Sequence, residues 1–165
     1  MSEGYTRLTA GEIIKEGNLA FDNLRLPWMK HPDSLNEEYD FPTNVTQLSS
    51  HSLGSLQLKL SQYLTWTLDI LGKDDAELGA LTEKFTLLVG LKAHEEQQLA
   101  GKLVKEIAMA RAIDGDERLS AAFDSIAKRK VRITRLKARV AAWQEQVNRL
   151  SREQSRREMD MRGGG

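Results

Sequence analysis

From residue 49 onward the apolar positions of this chain recur every three or four residues; before it they do not. Leu53, Leu56, Leu60, Tyr63, Thr67 and Ile70 form one stripe, with Ser49 or Ser50 as the N-cap of the helix it predicts. The stripe stumbles at Gly72-Lys73-Asp74-Asp75 and resumes at Leu78, Leu81, Phe85 and Leu88. This predicts either one long helix kinked there, the reading we favour, or two helices that meet. Gly101 is a second weak point, followed by KLVKEIAMARAI, whose Lys102, Lys105 and Arg111 suit a helix C-terminus. Ile113-Asp114-Gly115-Asp116-Glu117 then reads as a reversal: Asp-Gly supplies a turn, Asp116 can cap, and Glu117 sits where a first helical turn favours negative charge.

After the reversal the pattern is heptad. With Leu119 at position a, the series continues through Ile126, Ile133, Val140 and Val147, and the d positions are Ala122, Arg129, Leu136, Trp143 and Leu150. From Gln154 the seam turns polar (Gln154, Arg157), so the end, SREQSRREMDMR, is expected to project past its partner and fray into Gly163-Gly164-Gly165. A helix from Glu117 to about Met159 would be roughly 64 Å long, more than a single globular core of this size encloses. The expected fold is therefore all-α: an elongated antiparallel helical hairpin of coiled-coil type over 49–162, an irregular N-terminal arm over 1–48, and a disordered tail over 163–165. The seam of Leu119, Ile126, Ile133, Leu136, Val140, Trp143, Val147 and Leu150 suits an intramolecular pair and self-association equally.

The arm holds all three prolines, Pro27, Pro32 and Pro42, and the stretch LPWMKHPDSLNEEYDFPTN has no sustained period. Thr9-x-x-Glu12 has capping-box spacing and predicts a short helix through Ile13, Ile14 and Leu19 towards Leu24, ended by Pro27. Trp28 and Phe41 are expected to pin the rest of the arm.

Composition narrows the chemistry. The 165 residues include no Cys, which removes disulfides, thiolate zinc sites and cysteine nucleophiles. His31, His51 and His94 have no ligand spacing, and there is no GxGxxG, GxxxxGK[ST] or GxSxG. Glu95-Glu96 and Asp74-Asp75 are adjacent pairs that point about 100° apart on a helix and read as solvated faces. We expect no catalytic residues, no metal and no cofactor. Met1-Ser2-Glu3-Gly4 has neither the basic n-region nor the apolar h-region of a signal peptide, so none is expected, and the run from Phe85 to Leu91 is too short to span a bilayer. The expected location is cytoplasmic, with no membrane partner.

The charge balances, 24 Lys+Arg against 24 Asp+Glu, but not along the chain. Residues 128–165 hold 12 basic and 4 acidic side chains; residues 1–127 hold 12 and 20. Seven of the twelve residues of KRKVRITRLKAR (128–139) are basic and none is acidic. On a helix Lys128, Arg132, Arg135 and Arg139 fall within about 60° of one another along roughly 16 Å, a stripe beside the seam. Such a row of like charges needs anions, and the phosphates of a nucleic acid would supply them. So would the first helical arm, since residues 49–117 carry 11 acidic and 7 basic side chains; both readings stay open. The candidate nucleic-acid-binding residues are Lys128, Lys130, Arg132, Arg135, Lys137 and Arg139, with Arg149, Arg152 and Arg156 as a second cluster diluted by Glu153 and Glu158. Tyr63, Trp66 and Trp143 are candidate base-stacking platforms, Trp143 reading first as core. Arg129, charged at a d position, either snorkels or pairs across the seam.

The order of parts resembles small actinobacterial phage or prophage proteins: an N-terminal arm, LSSHSLGSLQLKLSQYLTWTLDIL, a turn with DGDERL, and a Lys/Arg-rich second helix closing with LSREQSRR. More distantly it is similar to the UvsY-type recombination mediators of phages. The resemblance covers about residues 42–160. It implies an oligomeric, ring-forming helical protein that binds single-stranded DNA and helps load a RecA-like recombinase in exchange for a single-strand binding protein. On this reading the chain is a non-enzymatic accessory protein of phage DNA recombination or replication, in the host cytoplasm, whose partners are single-stranded DNA, further copies of itself and such a recombinase or binding protein. The alternative is a structural or assembly coiled coil whose charges pair between subunits.

Overall fold

The computed structural model describes residues 9–26, 32, 41–100 and 104–163. Among them the chain is helical, without a strand: α1 (Ala10–Asp22), a 3-10 turn (Val45–Gln47), α2 (Ser50–Ala100), α3 (Lys105–Asp114) and α4 (Glu117–Gly163).

Helix α1 starts with the capping box its sequence spells. Thr9 N–H donates to Glu12 Oε2 at 2.6 Å, and Glu12 N–H donates to Thr9 Oγ1 at 3.2 Å. It ends at Asp22, short of Leu24, with Asn23 as C-cap. Arg25 then adopts a left-handed φ of 51°, a conformation that stops a helix without help from proline. Pro27 and Trp28 lie outside the described residues.

Ser49 caps α2, its Oγ accepting the Ser52 N–H at 3.0 Å. The helix passes through Gly72 as one helix and stops at Ala100. Of the two weak points, only the one near Gly101 coincides with a helix end. The buried stripe departs from its expected course beyond Phe85: Leu88 is 42 % exposed, while Val89 and Ala93 are buried. Two successive steps of four residues, 85 to 89 to 93, rotate the stripe relative to a three-four alternation.

The chain divides into two units, residues Met1–Pro27 with Lys73–Ile133, and Trp28–Gly72 with Thr134–Gly165. In the second unit, Val45, Leu53, Leu60, Tyr63 and Leu150 form the buried cluster, with Phe41, Leu48, Leu56, Trp143 and Val147 packed on it. Gln57 Nε2 donates to Ser151 Oγ at 3.0 Å, and the rings of Tyr63 and Trp143 lie 5.2 Å apart, so here α2 and α4 run antiparallel. The end of α4, expected to project past its partner and fray into Gly163-Gly164-Gly165, is helical to Gly163. The polar seam finds polar partners instead: Arg157 Nη2 donates to the carbonyl of Thr46 at 3.1 Å.

In the first unit, α2 and α4 are again antiparallel, with Phe85 and Phe123 rings 6.1 Å apart and Lys92 Nζ 2.6 Å from Asp116 Oδ2. Gly115 is the C-cap of α3, and Asp116 Oδ1 accepts the Arg118 N–H at 2.9 Å to start α4. Because the start of α4 returns beside Lys92, the reversal is broader than 113–117. It takes in the end of α2 and the whole of α3, which buries only Ala108 and Ala112.

Leu150 is fully buried, whereas Leu58 is 63 % exposed. Leu150→Ala is expected to lower the unfolding free energy by about 2–5 kcal/mol, and Leu58→Ala to change it by no more than about 0.5 kcal/mol. Urea denaturation followed by circular dichroism measures both.

Candidate functional site

The basic stretch of α4 crosses from one unit to the other, and each part has its own surroundings. In the first unit the two polar interruptions of the apolar stripes meet. Asp74 stands seven residues after Thr67 and fourteen after Leu60, which places it in the seam, and its side chain is 8 % exposed. The reading of Asp74-Asp75 as a solvated face therefore fails at Asp74, although Asp75 is exposed. Arg129 forms a close ion pair with Glu77 and lies 3.7 Å from Asp74 Oδ1. Arg132 Nε sits 2.7 Å from Asp74 Oδ2, a charge contact without hydrogen-bond alignment. Arg129 thus pairs across the seam. Arg132, first read as part of an outward stripe, is engaged by a buried carboxylate. An open hollow of about 340 Å³ lies beside this group, lined by Asp74, Ala121, Ser125, Lys128, Arg129 and Arg132. Lys128 is exposed on its rim, while Lys130 is engaged within the protein.

In the second unit the cations meet three fates. Arg156 is held by Glu153 at 2.8 Å and Asp160 at 2.8 Å, and Arg157 by Glu153 at 2.7 Å. Arg139 and Arg149 lie instead over aromatic rings, 5.8 Å from the Trp143 centroid and 5.2 Å from that of Phe41. Arg135 and Arg152 are exposed and have no ion-pair partner among the described residues. Lys137 is engaged. An arginine paired with a carboxylate has its charge largely offset, whereas one held against a ring face keeps both its charge and its N–H donors for another anion.

Of the seam residues, Leu119, Ile126, Ile133 and Leu150 are buried, and Leu136, Val140, Trp143 and Val147 half-buried. Tyr63 is 6 % exposed and packed on Trp143, so it is closed to base stacking as it stands; Trp66 and Trp143 are half-buried. His94 shares a hydrogen bond with Gln98, His51 is exposed, and His31 lies outside the described residues. Among the described residues no group of three His, Cys, Asp or Glu could hold a metal, and no helix is long and apolar enough to cross a membrane.

Two participants escaped the sequence reading. Glu153, noted only as diluting a basic cluster, is buried and anchors Arg156 and Arg157; its signal was the i, i+3 and i, i+4 spacing to them. Phe41, expected to pin the arm, does pack on the buried cluster of the second unit, but its place under Arg149 had no signal, because nothing local connects two residues so far apart in sequence. Comparison with known proteins leaves this geometry to stand alone: no family model, no curated protein and no solved structure matches the chain.

The Arg156 guanidinium, and after it Arg157, holds the Glu153 carboxyl down at about 2, below its ordinary 4.5. A carboxyl depressed by folding contributes stability that is complete above its unfolded value and is lost as pH falls through the folded one. Wild type is therefore expected to melt above Glu153→Gln at pH 7, the gap closing as pH falls from about 4.5 towards 2. Paired thermal melts across that window measure it.

Proposed function

We propose that the chain is a non-enzymatic nucleic-acid-binding accessory protein, single-stranded DNA being the favoured ligand, and that it works as a homo-oligomer. One observation carries this reading: Arg139 and Arg149 lie on aromatic rings rather than on carboxylates, and exposed Arg135 and Arg152 stand on the same helix. Cations beside partly accessible rings match a backbone of phosphates with bases to stack. The interface so proposed is narrower than the sequence suggested. It centres on Arg135, Arg139, Arg149 and Arg152, and leaves aside Arg132 and Arg156, whose charge is taken up internally.

The elongated hairpin belongs to this proposal, supported by the continuity of α2 and α4 and by antiparallel pairing within each unit. At 1.5 Å per residue, α4 alone has a contour of about 70 Å, so small-angle scattering with a maximum dimension well below that would reject it. Loading of a RecA-like recombinase, a phage origin and a cytoplasmic setting remain proposals resting on the resemblance in the order of parts. A second reading, an assembly protein whose charges pair between subunits, gains from the exposure of Leu87, Leu88, Leu91 and Ile107, apolar surface suited to further chains.

Anisotropy of a labelled single-stranded oligonucleotide at two or more salt concentrations tests the reading. Wild type should bind at low salt with a steep salt dependence. Arg135→Glu with Arg149→Glu should flatten the slope of log K against log salt by about 1.4, roughly 0.7 per lost phosphate contact, whereas Arg132→Ala should leave it in place. Absence of wild-type binding, or undiminished binding by the double variant, rejects the proposal; loss of a defined oligomer in that variant would favour the assembly reading.

A further inference from the structure

Of the two arginines that lie on rings, one takes its ring from its own helix and the other from the far end of the sequence. Arg139 meets Trp143, one turn further along α4. Arg149 meets Phe41, which the fold brings to α4 from just before the 3-10 turn. Phe41 is half-buried and packs on the cluster of Val45, Leu53, Leu60, Tyr63 and Leu150. The turn that follows is fastened twice: Val45 is buried in that cluster, and the Thr46 carbonyl accepts a hydrogen bond from Arg157 Nη2 at 3.1 Å. The ring thus belongs to the packed unit. The guanidinium 5.2 Å from its centroid is exposed and has no ion pair among the described residues.

An arginine loose in solvent samples many rotamers and gives them up when it binds an anion. One held on a ring has given up part of that freedom beforehand and still carries its charge and its N–H donors. A carboxylate in the place of the ring would also hold the side chain but would offset the charge, as Glu153 and Asp160 do for Arg156. Arg152, one turn beyond Arg149, has neither a ring nor an ion pair among the described residues. Of these three neighbouring arginines, only Arg149 is both held and unneutralised.

We propose that Phe41 is a positioning residue of the nucleic-acid site: its ring keeps the Arg149 guanidinium where a backbone phosphate meets it, without itself touching the strand. This rests on the nucleic-acid reading above. It makes the segment from Phe41 to Gln47, which carries no charged side chain, part of the site.

Oligonucleotide anisotropy over a salt series, with the full chain, tests the role through a double-mutant cycle. Phe41→Leu keeps an apolar side chain on the cluster and removes the ring. It should weaken binding about two- to fivefold, the worth of an exposed cation–π contact, and leave the slope of log K against log salt unchanged, because Arg149 still meets its phosphate. Arg149→Ala should flatten that slope by about 0.7. Added to Arg149→Ala, Phe41→Leu should cost nothing further, and Phe41→Tyr, which keeps a ring, should bind as wild type does. Phe41→Met takes the place of Phe41→Leu should the latter lose helical circular dichroism. A readout without nucleic acid accompanies the cycle: in proton NMR the Arg149 Nε–H should lie upfield in wild type and Phe41→Tyr, shielded by the ring, and return to the ordinary arginine position in Phe41→Leu. Wild-type affinity in Phe41→Leu, or an unshifted Arg149 proton in wild type, would overturn the proposal. So would an equal loss with and without Arg149, the outcome expected if a base stacked on Phe41 directly. A wild type that binds no oligonucleotide sinks the nucleic-acid reading and this role with it, whereas a binding wild type with an additive cycle sinks the positioning role alone.

Discussion

The constraint on which the described structure rests is that two long helices with narrow apolar stripes must be polar at the same level. On α2 the stripe is interrupted by Asp74, with Glu77 one turn on; on α4 it is interrupted by Arg129. The structure sets these against each other, with Arg132 closing on the same carboxylate. A slip of one helical turn, about 5.4 Å, would set Arg129 against apolar side chains and leave Asp74 buried alone. Removing the cations would leave the buried Asp74 carboxylate without a partner, a cost that a leucine in their place would not offset, although such a pair adds little over a well-packed apolar substitute. Its contribution here is to alignment: leucine and valine can exchange neighbours at modest cost, while a buried carboxylate cannot exchange an arginine for a leucine.

The surplus of positive charge on α4 is divided by the same geometry. Where the partner helix offers carboxylates, as at Asp74 and Glu77, the arginines turn inward. Where α4 supplies its own, as at Glu153 and Asp160, they fold back along the helix. Arg139 and Arg149 rest on aromatic rings, which attract a cation without neutralising it. Among the described residues the acidic side chains of the first part of the chain therefore offset some cations of α4 and not others, because cancellation requires proximity.

Much of the architecture could be read from local pattern. The capping box at Thr9 and Glu12, the cap at Ser49, the Gly115 stop with the Asp116 start, and the burial of Leu119, Ile126, Ile133 and Leu150 all follow from spacing over a few residues. The misreadings came where a residue's fate depends on a distant segment. Asp74 looked solvated because its neighbours in sequence are polar. Tyr63, placed in the apolar stripe, was also a candidate stacking platform, and its packing on Trp143 closes that role. The tail of α4 looked unpartnered because the carbonyls that receive Arg157 belong to Val45 and Thr46, on the opposite side of the sequence. Leu88 was misplaced by one residue because 3.6 residues per turn does not divide a three-four alternation evenly.

The sequence by itself determined that this is a helical chain, where α1, α2 and α4 begin, which faces of the helices are largely apolar, and that its cations gather late. Those properties depend on hydrogen bonds and side-chain periodicity within one or two turns, which the order of residues specifies directly. Only the tertiary structure decided which cations are already matched, which aromatic rings lie beneath arginines, and which apolar faces remain uncovered. Each of those is a question of what lies across a few ångströms of space between segments far apart in the chain, and electrostatic and apolar contacts act over that distance, not over the distance along the sequence.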